Sequence, residues 1–281
     1  MRNFILTIII VSALLSISAN AADLKTMVLP NNRTVTITGH PDYPPVMWVN
    51  KNTGKFQGVA IELLEKMLSE VDIKAQFINV ESWARAQEQV KNGQIDILIP
   101  PYKTEERQKI FNFPADTFMR DETVVFVKKG KEFKFDKFED LLQYPGVAII
   151  NDSFGEEFDQ FEKKAKHIRR LPTTEQSFRF VDKDRARYVI AGINSGNAAI
   201  AKLNWEGRYV YLPKRIVVTG MYLALSKKSI WNFPEFNSYL NRKYKEYARL
   251  GTVEDLEKKY LTILKHEKSE NKDLIQTPKA Q

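Results

Sequence analysis

Residues 58–99 read GVAIELLEKMLSEVDIKAQFINVESWARAQEQVKNGQIDILI, and they carry the clearest structural signal in the chain. Apolar residues recur at helical spacing over Gly58–Val71 and alternate as in a strand over Lys74–Asn79. Ser82 is a suitable N-cap for a second helix, and the apolar run Ile95–Ile99 predicts a further strand. The alternation of helices and strands is typical of an α/β layer with a largely parallel sheet.

The same rhythm extends to both sides of this stretch. Upstream, Thr34–Thr38 predicts a strand, and downstream Thr123–Val127 predicts another. A second series of elements then begins, followed by a strand-rich segment and two helices. These are Val147–Ile150, Phe154–Ala165, Thr174–Val181, Tyr188–Ile193, Ser195–Lys202, Ile216–Leu225, Phe236–Leu250 and Thr252–Leu264. We therefore predict two α/β units with a ligand-binding cleft between them.

The composition excludes several classes of protein. The chain has 281 residues, 43% of them hydrophobic, which is ordinary for a globular protein. It contains no cysteine, so a disulfide scaffold, a thiol nucleophile and thiolate metal sites are excluded. The net charge of +8 is spread along the chain rather than clustered, which argues against a nucleic-acid-binding protein.

The first residues predict a secretory signal peptide over residues 1–21. Arg2 supplies the positive start, Phe4–Ile17 is apolar, and Ala19-Asn20-Ala21 fits the cleavage pattern. The alternative is a membrane anchor, but the apolar run is shorter than the roughly 20 residues a span needs. We expect export without stable membrane insertion after cleavage. The polar tail, residues 265–281, is expected to be disordered.

Three aromatic residues follow predicted strands and form the first candidate site. Tyr43 lies in the turn Asp42-Tyr43-Pro44-Pro45, Trp83 begins a helix, and Tyr102 follows two prolines. Each ring taken alone is expected to pack in the core. Three rings at equivalent strand ends also fit a ligand-facing aromatic wall, so both interpretations stay open.

Polar candidates follow in each unit. Thr104 is a suitable N-cap, and Arg107 in the first turn suits an anion, although a surface pair with Glu105 or Glu106 is the alternative. In the second unit, Asn151-Asp152-Ser153 precedes a helix. Its hydroxyl and backbone N–H groups suit a polar ligand group, and a plain N-cap role is the alternative.

Evidence for catalysis is sparse. The chain has three histidines and no HExxH, GxSxG, P-loop or GxGxxG pattern. Asp42 and Glu81 are single acids near the predicted cleft. No metal and no cofactor is expected.

Several segments, in this order, resemble the periplasmic solute-binding proteins of family 3, which include the amino-acid-binding proteins of ABC importers. The resemblance covers nearly all of the chain after residue 21. It is carried by Asp42-Tyr43-Pro44-Pro45, GKFQG at 54–58 before AIELLEKML, SWARAQEQVKNGQIDILI at 82–99, KTEERQKIFNFP at 103–114, and GTVEDLEKKY at 251–260.

The resemblance implies a two-lobed clamp, each lobe a mostly parallel sheet flanked by helices. The expected lobes are residues 22–127 with 216–264, and residues 128–215. They would be joined by crossover strands near Thr123–Val127 and Ile216–Met221 and would close on a small ligand.

By the same resemblance, Tyr43 and Trp83 would sandwich the ligand side chain. Arg107 would hold an α-carboxylate, and Ser153 with its neighbours would contact it from the second lobe.

Two departures from the family pattern affect the expected ligand. Tyr102 with its prolines replaces small polar residues after the third strand. Ile193 and Asn194 stand where the family places an aspartate for the α-ammonium, and a buried ammonium without a carboxylate partner is costly.

The resemblance implies capture of a small polar, carboxylate-bearing ligand, an amino acid or a related compound, for ABC-type import by a monomer. The expected partner is an ABC permease. One alternative is a cyclohexadienyl-dehydratase-like enzyme with Glu81 or Asp42 as the proton donor. Another is a sensing module for a separate membrane receptor.

Overall fold

The computed structural model describes residues 30–276 except residue 32, with side chains as far as residue 264. The predicted signal peptide lies outside the described residues. Within the described part of the chain, no helix has both the length and the apolar character needed to cross a bilayer.

Strands and helices alternate along the chain. The strands are β1 (Thr34–Gly39), β2 (Asp42–Tyr43), β3 (Met47–Val49), β4 (Phe56–Gln57), β5 (Lys74–Phe77), β6 (Ile97–Ile99), β7 (Phe111–Asn112), β8 (Met119–Lys128), β9 (Gly146–Ile149), β10 (Ile168–Leu171), β11 (Tyr188–Gly192), β12 (Tyr209–Tyr211), β13 (Val217–Met221) and β14 (Ala224–Ser226). The α-helices are α1 (Val59–Ser69), α2 (Trp83–Lys91), α3 (Glu105–Ile110), α4 (Glu156–Ala165), α5 (Thr174–Asp182), α6 (Ile193–Lys202), α7 (Pro234–Arg249) and α8 (Thr252–Gln276).

The first sheet has the strand order β5-β1-β6-β14-β7. β1 pairs in parallel with β5 and β6, so that Ile37 lies opposite both Phe77 and Ile97. β14 returns from the C-terminal part of the chain and is antiparallel to β6 and β7. Because β1 and β6 are parallel neighbours, the loops that follow them emerge side by side.

Both faces of the first sheet are covered. Ile97 and Ile99 of β6 pack into a core that also contains α1, α7 and α8, whereas Leu98 packs with Trp83 and Val90 of α2 on the other face. This alternation follows the two-residue period of a strand. Continuous apolar strands are typical of parallel sheets with helices on both sides.

The second sheet has the strand order β10-β9-β11-β8-β12, and β13 also pairs with β8. β9, β10 and β11 are parallel, and β8 is antiparallel to β11. Val124 and Phe126 pack on one face, and Val125 and Val127 on the other. The two-lobed α/β architecture predicted from the sequence is confirmed. The first lobe is the first sheet with the helices packed on it, and the second lobe is the second sheet with its own helices.

The lobes are joined by a pair of antiparallel strands. β8 and β13 pair from Thr123 opposite Val217 to Met119 opposite Met221. The segment of β8 that joins the lobes is therefore Met119–Thr123. It comes before most of the predicted crossover Thr123–Val127, whose residues pair with β11. The start of β8 was not predicted because the sequence Arg120-Asp121-Glu122 is polar. Only the buried second half of β8 is continuously apolar. The predicted lobe boundaries stay a prediction.

The strand-rich segment predicted over Ile216–Leu225 consists of two strands, since β13 ends at Met221 and β14 begins at Ala224. The structure differs from the prediction in two other places. β10 was not predicted, because two arginines occupy its centre. The backbone of α8 continues to Gln276, where a disordered tail was predicted; residues 277–281 lie outside the described residues. Between residues 265 and 276 the sequence has no glycine or proline that would end the helix.

The N-caps predicted at Ser82 and Thr104 are confirmed, and Thr173 caps α5 in the same way. The alternative N-cap role for Ser153 is wrong, since Gly155 is the N-cap of α4. The side chains of Ser82, Thr104 and Thr173 each accept the backbone N–H three residues later. Each hydroxyl satisfies one of the free N–H groups at the start of its helix. The caps fix the positions at which α2, α3 and α5 begin.

Candidate functional site

Residues from the carboxyl ends of first-lobe strands meet the second lobe around one enclosed space, called here the inner cavity. Tyr43, Trp83 and Tyr102 are all buried there. The three residues belong to core clusters and also line the cavity, so the two interpretations from the sequence are compatible. In this conformation the cavity has room for about one water molecule at most. It is lined by His40, Tyr43, Trp83, Pro100, Tyr102, Arg107 and Asp152.

A buried carboxylate joins the two tyrosines. The hydroxyl groups of Tyr43 and Tyr102 both donate to Oδ2 of Asp121, the latter over 2.5 Å, and the backbone N–H of Glu122 donates to Oδ1 over 2.9 Å. The Tyr102 hydroxyl also lies 3.2 Å from Thr123 Oγ1. Burial raises the pKa of Asp121, which the tyrosine donors oppose, and burial next to Asp121 raises the pKa of both tyrosines.

Arg107 is buried at the start of α3, with 7% of its surface exposed. Its guanidinium donates to three neutral acceptors, the carbonyl oxygens of Tyr102 and Asn151, both at 3.2 Å, and Oε1 of Gln87 at 3.3 Å. It also lies over the Trp83 ring, 5.8 Å from the centroid. Burial lowers the pKa of Arg107, and Asp152 opposes that shift.

The alternative that pairs Arg107 on the surface with Glu105 or Glu106 is wrong. The Glu106 carboxylate forms an ion pair with Lys163 of the second lobe. The backbone N–H of Glu105 donates over 3.3 Å to Glu156, also in the second lobe. Arg107 therefore faces the interior, while the Glu106 side chain and the Glu105 backbone contact the second lobe.

The loop between β9 and α4 brings the second lobe to the cavity. Asn151 has a φ of 60°, and its carbonyl accepts from Arg107. Asp152 lines the inner cavity, and burial raises its pKa to about 6 although Arg107 and Arg170 act to lower it. The Ser153 hydroxyl donates to Asp159 in the first turn of α4, so it is engaged within the second lobe.

A wider outer cleft continues from the inner cavity between the lobes. Its walls include Arg107, Asn151, Asp152 and Ser153. Of the predicted second-lobe residues, Asn151 and Ser153 thus line the outer cleft, and Asp152 lines both spaces.

Asn194 lies apart from the other predicted site residues. It is half-buried at the start of α6 and lines neither space. At this strand end it is Gly192 that approaches the site. A Cβ there would lie 2.7 Å from both Asp121 Oδ2 and the Tyr43 hydroxyl.

Sequence reasoning missed His40 and Asp121. His40 follows β1 directly, and its ring centroid lies 5.3 Å from that of Tyr43 and 5.5 Å from that of Trp83. Its place before a proline at a strand end was a usable signal. Asp121 gave none, since it lies in the polar half of β8 and reaches the site only because β8 joins the lobes.

The two acids considered for catalysis lie elsewhere. The Glu81 side chain is 80% exposed and pairs with Arg85, and Asp42 forms an ion pair with Lys202 of the second lobe. Over the part of the chain with described side chains, no group of three or more metal-ligating residues could hold a metal ion.

Residues 35–263 match the family described as bacterial extracellular solute-binding proteins, family 3. The chain belongs to this family. Comparison with curated proteins by sequence finds no match.

Solved structures similar to this family 3 protein show the same fold. A mutant of ArgBP from T. maritima superposes with a TM-score of 0.68 at 18% identity, covering 86% of this chain and 99% of that one. A histidine kinase sensor domain with similarity to periplasmic binding proteins gives 0.69 at 19% identity, covering 82% and 96%. An ancestral amino-acid-binding protein, a precursor of cyclohexadienyl dehydratase, gives 0.63 at 23% identity, covering 81% and 95%.

Proposed function

We propose that this family 3 protein captures a small carboxylate-bearing ligand, an amino acid or a related compound, between its lobes for ABC-type import from the periplasm. The observation that carries the proposal is Arg107. Among the ion pairs of the described residues none includes Arg107, although its side chain is buried between the lobes. A buried guanidinium bound only to neutral oxygens can gain a carboxylate partner when a ligand enters.

The rest of the cavity suits the remainder of such a ligand. Tyr43, Trp83 and Tyr102 offer aromatic surface, which binds apolar parts of a ligand. Asp152 supplies a carboxylate in the cavity lining, and Asp121 is bound by the hydroxyl groups of the lining residues Tyr43 and Tyr102, although Asn194 replaces the family's usual aspartate. Their charges favour a ligand that carries an ammonium group as well as a carboxylate.

Ligand entry requires the lobes to separate, because the inner cavity is nearly filled by its own side chains. The paired segments Met119–Thr123 and Val217–Met221 are the proposed hinge. Closure around a ligand then needs greater affinity for the closed state than for the open one. The proposed lobes are the residue ranges predicted from the sequence.

A thermal-shift screen tests this function. The chain from residue 22 is heated with each of the twenty L-amino acids, 2-oxoglutarate, succinate and putrescine. At about 100 times the dissociation constant, a ligand adds about 2.7 kcal/mol, which is roughly 5–10 °C for a chain of this size. We expect carboxylate-bearing compounds of one class to stabilise the protein. Stabilisation by putrescine alone would contradict the proposal.

Substitution of Arg107 is the sharper test. Arg107→Ala should weaken a stabilising carboxylate by about 2–5 kcal/mol, measured by isothermal titration, because a buried charge pair is lost. Arg85→Ala is the matched control, since Arg85 lies on α2 with its side chain 59% exposed. Equal affinity of the two variants would remove Arg107 from the site.

A second candidate is an enzyme on the same fold, and one observation favours it. Asp152 lines the cavity with a pKa of about 6, suitable for a proton donor near neutral pH. Turnover of prephenate or arogenate that disappears in Asp152→Asn would support this alternative. No turnover, together with saturable binding, would leave solute capture.

The partner is also a proposal. An ABC permease is expected, and a membrane sensor is the alternative, one to which the sensor-domain neighbour draws attention. Co-purification of the ligand-loaded protein with a permease rather than with a sensor kinase would support import.

A further inference from the structure

Two buried N–H groups at the inner cavity have no acceptor. His40 is 7% exposed and Trp83 is 5% exposed, and both rings line the cavity. Nε2 of His40 and Nε1 of Trp83 lack hydrogen-bond partners among the described residues. Buried donors are normally paired, so two unpaired donors at one cavity point to an acceptor that arrives from outside.

The hydrogen bond at the other ring nitrogen identifies Nε2 of His40 as a donor. Nδ1 accepts the backbone N–H of Asp42 over 3.1 Å, so in the neutral ring the proton lies on Nε2. Burial lowers the pKa of His40 to about 4, with Asp42 raising it and Lys202 lowering it further. His40 is therefore a neutral donor at physiological pH.

The two donor residues share the cavity lining with Arg107, the cation among the described residues of that lining. The His40 and Trp83 ring centroids are 5.5 Å apart, and the Arg107 guanidinium carbon is 5.8 Å from the Trp83 centroid. Two neutral N–H donors beside a guanidinium match the acceptor lone pairs of a carboxylate.

We propose that His40 Nε2–H and Trp83 Nε1–H bind a ligand carboxylate oxygen beside Arg107, and so select a carboxylate over its amide or alcohol counterpart. This inference rests on the proposed function and adds to it the residues that read the anionic group. His40 is then a specificity-determining residue, and Trp83 contributes a hydrogen bond in addition to its ring surface.

The chain supplies matched internal controls. Trp48 also has a buried, unpartnered Nε1 among the described residues, but it packs against Tyr260 away from the cavity. Trp231 is buried, and its Nε1 donates to the Thr34 carbonyl over 3.2 Å. A signal confined to Trp83 therefore reports on the cavity rather than on buried indoles in general.

The test is an NMR titration of the ¹⁵N-labelled indole groups in the chain from residue 22. The probes are the stabilising compound from the screen, its carboxamide, and sodium formate as the smallest carboxylate, with sodium chloride at equal ionic strength. We expect a saturable downfield shift of the Trp83 indole proton with the carboxylates alone. The Trp48 and Trp231 signals should stay in place.

Variants provide an independent readout. His40→Phe and Trp83→Phe keep an aromatic ring and remove the donor, and each should weaken the carboxylate about tenfold to a hundredfold, the usual range for a hydrogen bond to a charged group. Trp48→Phe should bind like the wild type. The preference for the carboxylate over its carboxamide should fall in the first two variants only.

The outcomes separate the two proposals. If a carboxylate binds the wild type while the Trp83 signal is unmoved and both cavity variants bind normally, the donor pair is wrong and the proposed function stands. If no carboxylate, including formate, binds the wild type, the proposed function fails and the donor pair falls with it. A Trp83 shift with loss of affinity in both variants supports the inference.

Discussion

At the residue scale, the charged groups around the inner cavity are stabilised in different ways. Arg107 is surrounded by neutral carbonyl and amide oxygens, whereas Asp121 receives both tyrosine hydroxyls on one oxygen. Asp121 is thus already well stabilised within the protein, and Arg107 is the charge that gains more from a ligand. The site is therefore better prepared for an incoming anion than for an incoming cation.

Asp152 should make folding stability depend on pH. Its pKa is raised from the ordinary 3.8 to about 6 by burial, with Arg107 and Arg170 lowering it and Asp121 raising it. Between about pH 4 and pH 6 the folded protein keeps a proton that the unfolded chain has released. The contribution of Asp152 to the free energy of unfolding therefore falls as pH rises through this window.

Urea unfolding of the wild type and Asp152→Asn between pH 4 and pH 7 measures this effect. The difference in unfolding free energy should move in favour of the variant as pH rises from 4 to 6 and then level off. His40, whose pKa is lowered, has the opposite pH dependence, but it is present in both proteins and cancels to first order. A difference that is constant with pH would show that Asp152 is not perturbed.

At the element scale, the short helix α3 positions Arg107. It has only six residues, and the Thr104 hydroxyl caps it by accepting the backbone N–H of Arg107 itself over 3.2 Å. A helix of this length has little stability of its own. It is therefore stabilised mainly by its cap and by its packing. The cap also fixes the orientation of the Arg107 backbone relative to the segment that follows β6.

Thr104→Ala should therefore affect both stability and binding. We expect a loss of about 1 kcal/mol in unfolding free energy from the missing cap, measured by urea denaturation. Carboxylate affinity should fall as well, because Arg107 loses its fixed position. Thr104→Ser keeps the hydroxyl and is the control. A stability loss without any change in affinity would uncouple the cap from the site.

The sequence predicted elements well where apolar spacing was regular, and less well where buried charge entered. β1, β6 and α1 were found because their apolar positions face a core. β10 was missed because Arg170 forms an ion pair with Glu162 and donates to backbone oxygens, which lets a charged residue lie in a sheet. A local sequence pattern does not show which distant groups will pair with a charged residue in a sheet.

The site shows the same limit. Tyr43, Trp83, Tyr102 and Arg107 were predicted from their places after strands, and they do line one cavity. Asp121 could not be predicted, because its partners Tyr43 and Tyr102 belong to other segments of the chain. Asn194 was carried over by family position, and only the structure shows that Gly192 makes the close approach.

At the scale of the whole molecule, contacts between the lobes hold this closed arrangement. Asp42 and Glu106 of the first lobe form ion pairs with Lys202 and Lys163 of the second. The Asn151 carbonyl also accepts hydrogen bonds from Arg107 and from Gln87, the latter over 3.2 Å. In the proposed clamp mechanism these contacts break when the lobes open. The affinity of a ligand for the closed state must then outweigh the solvation gained in the open state.

The most direct test of solute capture is a distance measurement across the cleft. The chain has no cysteine, so labels can be placed at two chosen sites only. Spin labels at Gln108→Cys and Lys164→Cys, both exposed and next in sequence to Arg107 and Lys163 of the outer cleft, report on lobe separation. Addition of a stabilising carboxylate should narrow the distance distribution from electron–electron double resonance to one short separation. In the same labelled protein carrying Arg107→Ala, the distribution should stay broad. A bound carboxylate that leaves the wild-type distribution unchanged would contradict capture between the lobes.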